Sequence, residues 1–159
     1  MAKNIKTNVC RVLDAAKINY NTYCYADTDA VSGVDVAAAM GQDPKRVFKT
    51  LVTEAKGGMH LVFVIPVEAE LDLKKAAAAS GQKAISMLKQ KDLLPLTGYI
   101  HGGCSPIGMK KQFETYIHES AKEFETIIFS AGKIGYQVEV SPEDLLTVVP
   151  YKFADVVVE

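Results

Sequence analysis

Apolar positions along the chain switch between two periods, and the switches divide it into helices and strands. From Thr7 to Ile18, Val9, Val12, Leu13 and Ala16 recur at helical spacing, with Thr7 or Asn8 available as the N-cap of an amphipathic helix. Tyr20 to Tyr25 alternates instead, placing Tyr20, Thr22 and Cys24 on one face of a strand and Asn21, Tyr23 and Tyr25 on the other. DTDAVSG is turn-like, VDVAAAMG reads as a short helix closed by Gly41, and Asp43-Pro44 opens one more helical turn. VFKTLVTEA and HLVFVIP then flank Gly57-Gly58 and form the clearest hairpin in the chain.

Leu71 to Gly81 is expected to be helical, with Asp72 as N-cap, an alanine run after Lys74-Lys75, and Gly81 as the stop. Ala84–Leu88 reads as a short strand and Lys91–Leu96 as a short helix ending at Thr97-Gly98. FETYIHE reads as a strand, ESAKEF as a helical turn, and TIIFSA as a strand rich in β-branched residues. Gly132-Lys133-Ile134-Gly135 turns the chain into the alternating strand YQVEV. Ser141 as N-cap, Pro142 at the first helical position and an acid in the first turn start a helix over SPEDLLTVV, after which ADVVV adds a last strand.

Close strand pairs joined by glycine turns demand antiparallel pairing, which a purely parallel sheet lacks. The expected fold class is therefore α+β, with a mixed, antiparallel-rich sheet curled towards a barrel and surrounded by helices. At 159 residues, with no internal repeat or low-complexity linker, the chain is expected to form one domain over residues 1–159. A net charge of −1 gives no global basic footprint, so any nucleic-acid contact has to be local. Neither a signal-peptide core nor a run long enough for a membrane helix is present, and three cysteines without a C-x-x-C pair indicate neither a disulfide framework nor zinc. A reducing cytoplasm is the expected location.

The stretch that fits no regular element is GYIHGGCSPIGMKK, Gly98 to Lys111. Such a loop is either an ordinary glycine-rich connection or a shaped bend whose N–H groups converge on an anion or a developing oxyanion. Lys49 shares its strand face with Val47 and Leu51; it either snorkels to water at a strand end or points into a pocket to meet an anion. Cys104, three residues after His101, invites a thiol-nucleophile reading, but no cysteine-hydrolase signature surrounds it and a packed side chain is the alternative. His60, His101 and His118 lack metal-ligand spacing, and neither a P-loop nor a nucleophile elbow occurs, so no metal or cofactor is expected. Lys110, Lys111 and Lys133 could form a small positive rim on the two glycine loops.

RVFKTLV, ELDLKKAA, TGYIHGGCSPIGMKK, SAGKIGYQVEVSPEDL and KFADV, in this order, closely resemble the YbaK/EbsC family of aminoacyl-tRNA deacylases, related to the editing domain of prolyl-tRNA synthetase. The resemblance runs from about Asn8 to Val157. It implies a trans-editing enzyme acting on Cys-tRNA(Pro) or Cys-tRNA(Cys), on a barrel-like β core, without a cofactor. Aminoacyl-tRNA is the implied partner and prolyl-tRNA synthetase a candidate one, with no membrane or DNA contact expected. By position, the resemblance makes Lys49 the essential lysine and Gly102–Pro106 the family's G-x-x-x-P loop. It assigns catalytic roles to Lys49, Gly102 and Gly103, and substrate binding to Tyr23, Cys104, Ser105, Pro106, Ser130 and Gln137. Gln137 stands where some relatives carry aspartate, and Glu114 and His118 depart from the family's F-P-T-x-I-D pattern. Implied alternatives are a deacylase for another mischarged species, such as Ala-tRNA(Pro), or a non-catalytic module binding tRNA or a synthetase.

Overall fold

The computed structural model of the protein describes residues 6–159. Thr7 caps α1 (Asn8–Ala15) by accepting a hydrogen bond from Cys10 N–H, and Val9, Cys10 and Leu13 turn into the core. β1 (Asn21–Cys24) leads to α2 (Gly33–Ala39), capped by the Ser32 hydroxyl on Asp35 N–H. β2 (Phe48–Ala55) and β3 (Met59–Pro66) form the expected hairpin, in register from Phe48–Pro66 to Ala55–Met59. Its turn needs positive φ at both Gly57 and Gly58, which glycine adopts freely.

Asp72 accepts from the N–H groups of Lys74 and Lys75 at the start of α3 (Leu73–Ser80), so this helix begins after its cap. β4 (Ile85–Met87) and α4 (Gln90–Thr97) follow, the latter closed by Gly98 in the left-handed region. β5 (Glu114–His118), β6 (Ile127–Ser130), β7 (Tyr136–Val140), α5 (Pro142–Val148) and β8 (Tyr151–Ala154) complete the order. The last strand differs from expectation: it is Tyr151–Ala154, not ADVVV. β8 leaves β5 at the His118–Ala154 pair, and the following residues run against the start of α3 instead. There Asp72 N–H donates to Val156 O, Val158 N–H donates to Glu70 O, and Val157 bridges Leu71.

The strands fall into two sheets. The larger has the order β4-β2-β3-β5-β8, parallel at β3–β5 and β5–β8 and antiparallel elsewhere; the smaller, β1-β7-β6, is antiparallel throughout. The mixed, antiparallel-rich α+β class is thus observed, with the two sheets meeting at a parallel bridge, Val47–Ile128, and no closed barrel among the described residues. From Leu61 to Pro66, β3 is an unbroken apolar run whose two faces are both covered. Val62 and Val64 join the core shared with α1 and the smaller sheet, whereas Leu61, Phe63 and Ile65 pack on the α3 side.

Candidate functional site

A cleft of about 360 Å³ opens at the seam between the sheets, lined by Val47 and Phe48–Leu51 of β2, the start of α2, the glycine loop, and Phe129, Ser130 and Gln137 of the smaller sheet. Lys49 enters this wall half-buried, opposite Ile65 in the hairpin register. Burial pulls its pKa below the ordinary lysine value, and the Glu70 carboxylate opposes that shift in part. Among the described residues Lys49 makes neither an ion pair nor a hydrogen bond, so its charge is uncommitted. The neighbouring Thr50 lines the same cleft, and its Oγ1 is buried without a hydrogen-bond partner among the described residues.

The glycine loop is pinned from inside by Tyr99, whose buried hydroxyl donates to Ile107 O and so spans the bend. A Cβ at Gly132 would come within 2.9 Å of the Tyr99 ring, so the second glycine turn closes on the same side chain. The two loops also touch backbone to backbone: a Cβ at Gly103 would stand 3.1 Å from Ile134 N. Gly102 adopts φ 88, and Gly103 N–H already donates to Ile100 O. The N–H groups of Gly102 and Cys104, both lining the cleft, make no hydrogen bond among the described residues. The open amides therefore flank Gly103, whose own N–H is spent on the turn that shapes them.

Cys104 is 7% exposed and burial pushes its thiol up to about 12, so it stays protonated and packs in the core. No hydrogen bond among the described residues joins it to His101, which lies exposed on the cleft wall. Ser105 and Pro106 are buried beneath the loop, where Ser105 Oγ accepts from Ile107 N–H. Ser130 lines the cleft and its Oγ accepts from Gly132 N–H, tightening the second turn. Gln137 lines it too, held by reciprocal amide bonds with Gln42 of 2.9 and 3.2 Å. Lys49, Gly102, Cys104, Ser130 and Gln137 thus come together around one cavity. Gly103, Ser105 and Pro106 support it from behind.

Tyr23 stands outside the lining: its ring packs on the Ala37, Val47, Val67 and Ile128 cluster and its hydroxyl donates to Glu139. The tyrosine facing the cleft is Tyr25, buried, with its N–H on Gly135 O. Strand alternation places both on one face and could not choose between them. Sequence reasoning also missed a polar brace behind the cleft. The buried Glu139 carboxylate accepts from Asn21, Tyr23, Thr126 and Arg46, and Arg46 Nε further donates to Thr126 O. An acid on a predicted core strand, YQVEV, was the available signal, since a buried carboxylate requires a partner. Among the described residues no helix is long and apolar enough to cross a membrane, and no cluster of His, Cys, Asp and Glu could hold a metal ion.

Residues 27–148 match the sequence model of the aminoacyl-tRNA editing domain. Over 152 residues, 95% of this chain and 93% of the other, the chain is 49% identical to the Enterococcus faecalis protein named "Putative Cys-tRNA(Pro)/Cys-tRNA(Cys) deacylase EbsC". It is 29% identical to the uncharacterized Bacillus subtilis protein YwhH, covering 75% of each. Among solved structures it is similar to "a putative trans-editing enzyme for prolyl tRNA synthetase", with TM-score 0.81, 21% identity, and coverage of 96% of this chain and 99% of that one. At that identity the likeness bears on the fold alone.

Proposed function

As the chain belongs to the aminoacyl-tRNA editing domain family, we propose that it is a trans-editing aminoacyl-tRNA deacylase that removes cysteine mischarged on tRNA(Pro). The observation that carries this reading is one cleft in which an uncommitted ammonium, Lys49, shares the walls with unspent backbone N–H groups at Gly102 and Cys104. An aminoacyl ester is already activated, so the protein need only orient it and stabilise the tetrahedral oxyanion with fixed donors. Lys49 meets the phosphate or ribose at the tRNA 3′ end, and the loop amides receive the oxyanion.

The family resemblance implies the substrate's own thiol as nucleophile, and Cys104, held protonated by burial, does not compete with it. The cysteinyl sulfur attacks its own carbonyl carbon, the ester C–O bond breaks, and the thiol proton ends on the ribose oxygen of the released tRNA. The products are uncharged tRNA and a cyclic thiolactone. Self-attack by the substrate also supplies selectivity, which a pocket alone achieves only about 10 to 200-fold for side chains differing by one small group. Prolyl-tRNA synthetase would deliver the charged tRNA in the cytoplasm and raise its effective concentration.

The test is a deacylation panel of Cys-tRNA(Pro), Cys-tRNA(Cys) and Ala-tRNA(Pro). Cysteinyl substrates should be cleaved preferentially, and Lys49→Met should lose about 10 to 100-fold in kcat/KM, the scale of one lost hydrogen bond to a charged group, roughly 1.5 to 3 kcal/mol. Preferential release of alanine would defeat the cysteine reading, and full activity in the variant would defeat the site.

A further inference from the structure

The two lips of the cleft carry opposite charge. Residues 88–112, which supply the α4 and glycine-loop lip, contain Lys89, Lys91, Lys110 and Lys111 against the single acid Asp92. Lys133, on the adjoining glycine turn, extends the same sign, since that turn packs on Gly103. The facing lip, residues 26–43 around α2, contains Asp27, Asp29, Asp35 and Asp43 and no basic residue. These lysines and aspartates are all exposed, and both segments reach the cavity, one through Leu93 and His101, the other through Val31 and Val34. Lys110 folds back over the end of α4, with Nζ 3.5 Å from Pro95 O, and this joins the loop lysines to the helix into one surface. In a chain with 18 basic residues and a formal net charge of −1, the segments on the two sides of this cavity thus differ in sign.

We infer that this lip, Lys89 with Lys110 and Lys111 at its centre, is the docking surface for the phosphate backbone of the tRNA acceptor end. The aspartate lip repels that backbone and so fixes the direction from which the 3′ end enters. The inference rests on the reading that an esterified tRNA end occupies the cleft. Exposed charges act within a Debye length of about 8 to 10 Å at physiological salt, so lysines at the cavity's edge reach only the nucleotides next to the terminal one. Each phosphate neutralised releases counterions, which makes the contribution visible as a salt slope. A one-sided patch of this size gives orientation where the whole chain gives little affinity.

The experiment measures binding of uncharged tRNA(Pro) to the full chain against salt, for wild type, Lys89→Gln/Lys110→Gln/Lys111→Gln, and a matched control, Lys56→Gln/Lys74→Gln/Lys152→Gln, whose exposed lysines lie outside the cleft lining. The lip variant should bind at least about tenfold more weakly and lose about 0.7 to 0.9 in log–log salt slope per phosphate contact removed, while the control loses little. Asp29→Asn/Asp35→Asn should bind more tightly than wild type. Equal losses in the lip and control variants would overturn the inference. So would unchanged tRNA affinity with lost capture of prolyl-tRNA synthetase, which would make the lip a protein contact. Because binding is read without turnover, an inert wild type on every charged tRNA would defeat the deacylase reading and leave the docking result standing on its own.

Discussion

Lys49 and Cys104 are both cleft side chains whose protonation is set by burial, with opposite consequences. Burial lowers the lysine pKa, so the folded state disfavours the ammonium wherever the side chain is charged in both states. Lys49→Met keeps the aliphatic stem and removes that penalty, and is expected to raise the melting temperature while activity falls. The gain should shrink as pH rises through the folded lysine pKa, where wild type sheds its proton; thermal melts across the alkaline range check the sign. In the cysteine, burial raises the pKa and abolishes nucleophilicity. Cys104→Ala should therefore leave kcat on cysteinyl-tRNA within a few-fold of wild type, after a packing loss of about 1 kcal/mol. Loss of turnover with the fold intact would restore the thiol as a participant.

At the level of elements, the cleft depends on how β2 is tied to the smaller sheet. Arg46 sits just before β2, bonds Thr126 and Glu139 through its side chain, and accepts Ile128 N–H at its carbonyl. Removing one partner of a buried pair strands the other. Arg46→Ala leaves the Glu139 carboxylate, 6% exposed, short of its cation; because the Arg46 side chain is 35% exposed, water replaces part of it, and the cost is about 1 to 3 kcal/mol, read by denaturant unfolding. Arg46→Lys should recover only part of this, because an ammonium cannot reproduce the guanidinium's several directed bonds. The glycine loops depend on Tyr99 in a similar way, since one ring fills the space beneath both turns.

Across the whole molecule, legibility followed the range of the interactions. The β2–β3 hairpin, the caps at Asp72 and Ser141, the Thr7-or-Asn8 start of α1, and the stops at Gly81 and Gly98 rest on residues a few positions apart, and periodicity and capping chemistry identify them, whereas the Ser32 cap of α2 went unread inside the turn-like DTDAVSG. The division into two sheets was not legible, because the Val47–Ile128 bridge joins residues far apart in sequence without any local mark. The same holds for the Gln42–Gln137 pair and for the choice of Tyr25 over Tyr23, which tertiary packing decides. Lys49 stood out because an ammonium among apolar strand neighbours needs a reason. The ADVVV strand failed because β-branched residues mark extended backbone without naming its partner.

The seam carries one more implication. The cleft lies beside the Val47–Ile128 bridge, while a common hydrophobic core packs the two sheets against each other. A ligand touching both Lys49 on one sheet and Ser130 on the other acts as a crosslink across that joint. Occupancy should then be felt as added resistance of the whole domain to unfolding, read as a higher melting temperature with the ligand bound.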